Sequence, residues 1–289
     1  MPKLYCFGEI LWDLFPSGAK PGGAPMNVAI HAQNLGLDSE VISAIGDDEL
    51  GTKLLDLLAE RGVGTTAVLR QEHPTGTVTV DTTNPTEVKY TIEAPSAWDF
   101  IDAPVIEWQP GDLLLHGSLA ARNQQSYEAL KKLRGQASVR VFDLNLRAPF
   151  VDRNKIEALL LGTEIVKVNE EEYALLAEWL ELPAEASEGF EKLSAQFGTQ
   201  DLILTRGSRG AQWINSSGTK VSRTYAITVK DTVGAGDSFL AAMIFGISHQ
   251  LDPQLTLDYA AGLGAMVASE EGANPSISKS DLKAFVEAQ

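Results

Sequence analysis

Short β-rich runs at residues 4–8, 40–45, 112–117, 139–145, 164–169 and 201–207 are each followed by a stretch of helical character. This alternation constrains the fold more than any other feature of the chain. Strands separated by helices assemble into a parallel sheet with helices covering its faces, so an α/β fold is expected. Several runs end in polar or glycine residues: His116-Gly117-Ser118, Asp143-Leu144-Asn145 and Lys167-Val168-Asn169. Open α/β sheets bind ligands beyond the carboxyl ends of their strands, so these residues are expected to point into one crevice. With 289 residues, 44% of them hydrophobic, the chain can bury a sizeable core. No repeat, low-complexity tract or linker divides it, and residues 1–289 read as one domain.

Within this frame, Asp231-Thr232-Val233-Gly234-Ala235-Gly236-Asp237-Ser238-Phe239 sets a glycine turn and a carboxylate against the start of an apolar helix. Residues 240–247 are almost wholly apolar. Gly234, Ala235 and Gly236 therefore occupy the turn that feeds the first backbone amides of a buried helix. Those amides have no partner inside the helix, and with the positive end of the helix dipole they favour an anion. Glycine lets a phosphate come close to the backbone. Asp237 sits at the edge of that anion, and a carboxylate of ordinary pKa can take the proton from a hydroxyl attacking a phosphoryl group. Taken alone, the same residues also fit a helix start that Asp237 merely caps.

A second glycine turn, Pro21-Gly22-Gly23-Ala24-Pro25-Met26-Asn27-Val28-Ala29, opens another helix with Asn27 on its first turn. Together, in this order, the two signatures resemble those of the ribokinase-like sugar kinases, the PfkB family. The resemblance runs from Gly8-Glu9 and Asp13 to Gly272-Ala273-Asn274-Pro275-Ser276, nearly the whole length. It implies a three-layer α/β/α arrangement with a mostly parallel central sheet and a small β lid formed by about residues 11–22 and 70–98. Residues 75–92, with alternating threonine and valine on either side of Asn84-Pro85-Thr86, read as a β-hairpin that suits such a lid.

The resemblance also distributes roles. Asp237 is the catalytic base, with Gly234, Ala235 and Gly236 stabilising the phosphoryl oxygens and Arg147 assisting. Asp13, Gly22, Gly23 and Asn27 hold the sugar. Asn169, Glu172, Thr205 and Gly207 serve the nucleotide, ATP, with Glu172 organising magnesium through water. Asp231, Gly272 and Ser276 surround a monovalent cation, potassium. Relatives carry an asparagine beside the adenine where this chain has Ala261-Gly262, so the base is expected to be held by shape and apolar contact.

Within the family the likeness is to bacterial fructokinases, through Gly23-Ala24-Pro25-Met26-Asn27-Val28-Ala29, Ser96-Ala97-Trp98-Asp99, His116-Gly117-Ser118-Leu119 and residues 143–147. Fructose giving fructose 6-phosphate is the implied reaction. Ribose, 2-keto-3-deoxygluconate, nucleosides and a non-catalytic sugar-binding regulator on the same fold stay open. An exposed lid hairpin could pair with that of a second copy, making a homodimer.

Thirty-nine acidic against 23 basic residues give a formal charge of −16, which opposes attraction to nucleic acid or to an anionic membrane. The partners expected are a small sugar and ATP. A polyanionic nucleotide must be held by local amides, a few arginines and a divalent ion. Cys6 alone permits no internal disulfide, the N-terminus reads as a strand without a charged leader, and a cytoplasmic protein is expected. The four histidines are scattered without zinc-ligand spacing. The stretch Gly46-Asp47-Asp48-Glu49-Leu50-Gly51-Thr52-Lys53 has its lysine and threonine in the wrong order for a P-loop. Gly8 is followed by Glu9-Ile10-Leu11-Trp12 instead of a dinucleotide-binding glycine fingerprint.

Overall fold

The computed structural model describes residues 2–81 and 89–289. Its strands are β1 (Leu4–Phe7), β2 (Leu11–Phe15), β3 (Gly18–Gly22), β4 (Ser39–Gly46), β5 (Val68–Gln71), β6 (Gly76–Asp81), β7 (Lys89–Ile92), β8 (Leu113–His116), β9 (Val139–Asp143), β10 (Ile165–Asn169), β11 (Asp201–Thr205), β12 (Ala211–Asn215) and β13 (Gly218–Val221). The helices are α1 (Ala24–Leu35), α2 (Glu49–Glu60), α3 (Gln124–Arg134), α4 (Arg153–Leu160), α5 (Glu170–Leu180), α6 (Ala186–Phe197), α7 (Ala235–Ser248), α8 (Pro253–Ala268) and α9 (Lys279–Glu287).

The main sheet runs β13-β12-β11-β10-β9-β8-β1-β4-β5. Every pairing from β5 through β11 is parallel, and β12 and β13 close one edge antiparallel. Alternate residues of each buried strand feed opposite faces. Leu4 and Cys6 join a core with side chains of α1, α2, α7, α8 and α9, while Tyr5 and Phe7 join a second core with α3, α4, α5 and α6. Two cores on either side of one sheet make the three-layer α/β/α arrangement that the resemblance implies. The antiparallel β12–β13 edge is an addition that the sequence reading missed, because residues 218–221 are fully solvent-facing and carry no apolar pattern.

A second sheet, in the order β3-β2-β6-β7, packs Leu11, Val78 and Val80 with Phe15 and Ile92 into a small cluster of its own. The expected hairpin is the antiparallel β6–β7 pair, with Val78 opposite Ile92; its turn, Asn84-Pro85-Thr86, lies outside the described residues. Of the 70–98 stretch, residues 70–71 instead belong to β5, which pairs with β4 in the main sheet. Trp98 is fully buried in the second main core. From the 70–98 stretch the small sheet takes β6 and β7. Among the described residues, no helix is long and apolar enough to cross a membrane.

Candidate active site

The carboxyl ends of β1, β8, β9, β10 and β11 share one edge of the main sheet, and α7 points its N-terminus at that edge. The sequence starts α7 where it does because Gly234 takes a left-handed conformation (φ 78°) that ends the preceding turn. A side chain there would also collide with Ala273, whose Cβ lies 2.6 Å from the position a Gly234 Cβ would take. The Ala235 amide leans toward the Thr232 carbonyl at 3.3 Å. Gly236 and Asp237, as first-turn residues, have no intrahelical acceptor for theirs.

Asp237 occupies the first turn of α7, and its Oδ2 accepts a hydrogen bond from Asn27 Nδ2 at 2.8 Å. Asn27 Oδ1 in turn accepts from Asn274 Nδ2 at 2.8 Å. The Asn27 carboxamide thereby orients the carboxylate and ties α1 to the Gly272–Ser276 loop. Burial pushes the Asp237 carboxyl up to about 6, with Asp143 adding to the rise and Asn27, Lys167 and Arg147 opposing it. The ordinary pKa assumed from the sequence is corrected on this point. The fold, by enclosing the residue, makes it a better proton acceptor near neutrality.

Asp13 lies on β2, on the small sheet, so close to Gly22 on β3 that a Gly22 side chain would strike its carboxylate. Gly23 (φ 114°) leaves room in the same way for the Glu9 carbonyl. Burial raises Asp13 to about 6, while the Arg147 guanidinium draws it down and Asp231 and Asp237 push it up. These groups therefore share one field. Arg147 is exposed, follows Asn145 in a left-handed turn (φ 41°), and acts on Asp13 and Asp237 alike.

The first turn of α7 also borders a cavity of about 700 Å³. Asn169, Thr205, Gly207, Ala235 and Gly236 line its polar end, and Tyr225, Ile227, Phe239, Ala261, Ala265 and Ala268 line an apolar one. Ala261 stands in this wall, as the sequence suggested, whereas Gly262 faces Val286 and Leu282 of α9. An Ala265→Leu substitution should fill part of the apolar end. With the nucleotide in this cavity, as the resemblance implies, its KM is expected to rise about tenfold with kcat little changed, as steady-state kinetics over nucleotide concentration would read.

Glu172 is held by backbone amides. Its Oε2 accepts from the Asn169 amide and its Oε1 from the Leu146 amide, both at 2.9 Å, while Asn169 Oδ1 accepts from the Glu172 amide. This is a capping box with one extra tie to the segment carrying Arg147. Glu170 and Glu171 border the cavity. Among the described residues no cluster of three metal-binding side chains occurs. The magnesium ion that the resemblance implies is one that nucleotide phosphates and water can carry with few protein ligands.

Two residues went unassigned in the sequence. Lys167 is buried and donates to both oxygens of Asp143, at 2.9 and 3.0 Å. Its Nζ also lies 3.5 Å from the position of a Gly236 Cβ. Glu9 is buried with an unpartnered Oε2, and burial lifts it to about 7 against the pull of Arg147. Asp231 and the Gly272–Ser276 loop meet below the glycine turn: Asp231 accepts from the Val233 and Gly272 amides at 3.0 and 3.1 Å.

This site, on this fold, has relatives. The model of the pfkB family carbohydrate kinases matches residues 17–280. The chain belongs to that family, whose shared activity is ATP-dependent phosphorylation of sugars. A fructokinase of Vibrio alginolyticus is 26% identical over 99% of both chains, and one of Klebsiella pneumoniae 29% over 97% of this chain and 98% of its own. A double-mutant fructokinase from Vibrio cholerae O395, bound to fructose, ADP and potassium ion, superposes with a TM-score of 0.85 at 25% identity, covering 99% of this chain and 98% of that one. Aminoimidazole riboside kinase from Salmonella enterica, with aminoimidazole riboside and an ATP analog, gives 0.83 at 22% identity, covering 98% and 99%, a likeness of fold.

Proposed function

We propose that the chain transfers the γ-phosphoryl group of ATP to the primary hydroxyl of a small sugar, D-fructose giving D-fructose 6-phosphate. The observation that carries this reading is the Asp237 carboxylate, fixed by Asn27 on the first turn of α7, whose Ala235 and Gly236 line the cavity, and close enough to Asp13 to raise its pKa. The nucleotide base would lie against Ala261, Ala265 and Phe239, and the phosphates would reach the Gly236 and Asp237 amides. The sugar would lie against Gly22 and Gly23, with Asp13 accepting two of its hydroxyls.

Asp237 Oδ2 is taken by Asn27, leaving Oδ1 to accept the proton of the attacking hydroxyl. Arg147 would neutralise charge on the phosphoryl group in flight. Magnesium, when bound with the nucleotide, would screen its phosphate charges. The small sheet would act as a lid, since Asp13 rides on it and its position over α7 decides how much water reaches the site. Fructose rests on distant fructokinase relatives; the riboside kinase with the same fold makes a ribose-based acceptor the second choice.

A coupled ADP-release assay over fructose, ribose, 2-keto-3-deoxygluconate and nucleosides decides between them. The highest kcat/KM is expected with fructose. Sugar binding without nucleotide turnover for every acceptor would instead describe a regulator.

A further inference from the structure

Arg122 is a buried cation with no part in the chemistry proposed above. It follows β8 on the turn that leads into α3, and Lys155 of α4 fixes its backbone by donating to the Ala121 and Arg122 carbonyls at 2.7 and 3.3 Å. Its guanidinium forks onto Asp99, Nε to Oδ1 at 2.6 Å and Nη2 to Oδ2 at 2.7 Å, with both side chains almost fully enclosed. Asp99 closes the Ser96-Ala97-Trp98-Asp99 motif, where it also accepts from the Ser96 amide. Nη2 donates in addition to the Glu93 carbonyl at 2.8 Å. The Glu93 amide is bonded to the Thr77 carbonyl of β6, so this contact grips the end of the small sheet. The same guanidinium lies over two rings, 3.8 Å from the centroid of Trp98 and 4.5 Å from that of Phe150. Phe150 closes the turn that begins at Arg147, its amide donating to the Arg147 carbonyl at 2.8 Å. On the other side of Arg147, Glu172 holds the Leu146 amide. Arg147 is thus slung between two anchors, one on α5 and one on Arg122.

Stability alone is a poor reason for such a residue, because a buried ion pair often contributes no more than apolar packing of the same volume. Arg122 also leaves Nη1 buried with no partner among the described residues, a donor whose desolvation goes uncompensated. We infer that Arg122 is a positioning residue for phosphoryl transfer: through Glu93 and Asp99 it holds the end of the small sheet, and through Phe150 it holds the turn that aims Arg147, so that the two move as one. The inference rests on the kinase reading of this site. Asp13 rides on β2, which pairs with β6, so the sheet that Arg122 grips is the one that carries the sugar-binding carboxylate. Transfer needs Asp13 and Arg147 in fixed relation, one on the sugar and one on the phosphoryl group. A guanidinium suits this task, since its planar fork takes a carboxylate while its face packs on rings, and an ammonium cannot do both.

The test is a double-mutant cycle with Arg147, read as kcat/KM for the best acceptor sugar, in which Phe150→Leu and Arg122→Lys are each made alone and together with Arg147→Met. Each alone is expected to lower kcat/KM about tenfold, less than the hundredfold that a displacement of about 1 Å can cost. Added to Arg147→Met, each should cost less than about twofold, because the group it misaims is already gone. A full tenfold loss in that background would mean that these side chains serve the fold alone, and it overturns the inference. Phe150→Leu leaves the Arg122–Asp99 pair whole, so the cycle stands even where Arg122→Lys does not fold. Amide hydrogen exchange of the free protein answers without turnover. Arg122→Lys should speed exchange in residues 89–96 and 145–150 together, and Phe150→Leu in residues 145–150 alone. Unchanged exchange at 145–150 in both variants also overturns the inference. If the unsubstituted protein phosphorylates no acceptor, the kinase reading fails separately, and exchange still decides whether Arg122 joins the two segments.

Discussion

Replacing Asp237 with asparagine is expected to lower kcat by about a hundredfold or more, the scale of a positioned base, and at the same time to make the protein more stable at neutral pH. The two effects share a cause. Asp237 is enclosed beside Asp143, and these surroundings raise its carboxyl from 3.8 to about 6. The folded state therefore binds this proton more tightly than the unfolded chain does. Such a group contributes stability that is full below the unfolded pKa and is lost as pH rises through about 6. At neutral pH the ionised carboxylate is a burden that the fold carries for function. An amide has no charge to bury and can still accept from Asn27 Nδ2, so a gain of about 1–3 kcal/mol follows. Thermal unfolding and turnover of the same preparation check both halves. Near-normal turnover would remove Asp237 from the reaction, and a lowered melting temperature would make it a structural anchor.

The same pKa fixes the pH dependence of the unsubstituted enzyme. With Asp237 needed as carboxylate, kcat/KM should fall as pH drops through about 6 and level off above it. Asp13 titrates in that same range and Glu9 at about 7, both raised chiefly by burial. Protonated Asp13 loses acceptor capacity for sugar hydroxyls, so the KM for sugar should rise in the same window. A profile governed instead by an ordinary carboxylate would place the fall near 4 and would contradict the enclosure of the site.

The parts of this site that were legible in the sequence are those written in local patterns. Gly234 before an apolar helix and Gly22-Gly23 before another announce helix N-termini, because only particular residues start a helix that way. The strand runs were equally plain, each being a block of apolar residues closed by a polar one. What the sequence hid was contact between distant segments. Asn27 and Asp237 are 210 positions apart and bond directly, and nothing local in either says so. Glu172 shows both cases: three residues after Asn169 it has the spacing of a capping box and makes one through Oε2, while Oε1 accepts from the Leu146 amide 26 positions away. The raised pKa of Asp237 comes from its being shut in by other segments, which no single stretch of chain encodes. Lys167 and Asp143 are direct partners on neighbouring parallel strands. A signal for them existed: each precedes an asparagine by two residues at the end of an apolar run, so strand pairing in register sets the charges side by side.

That pair sets up the second large effect. Lys167→Met is expected to lower kcat by about a hundredfold, and to destabilise the fold by about 3–5 kcal/mol through the Asp143 carboxylate it strands. Lys167 is buried, holds both oxygens of Asp143 and sits under Gly236, where phosphoryl oxygens would gather on the first turn of α7. Its ammonium is kept charged despite burial, which acts to lower its pKa, because Asp143, Glu172 and Asp237 together raise it above its ordinary value. A cation held there supports the ionised form of Asp237 and would attract the phosphates. Loss of either service slows transfer, but loss of Asp143's partner alone only loosens the fold. Lys167→Met combined with Asp143→Asn separates the two, since it removes the stranded charge without restoring the cation. Stability should largely return in the double variant while kcat stays low. Recovery of kcat together with stability would mean that Lys167 serves only to neutralise Asp143, and that the charge felt by the phosphoryl group comes from Arg147 and the α7 amides.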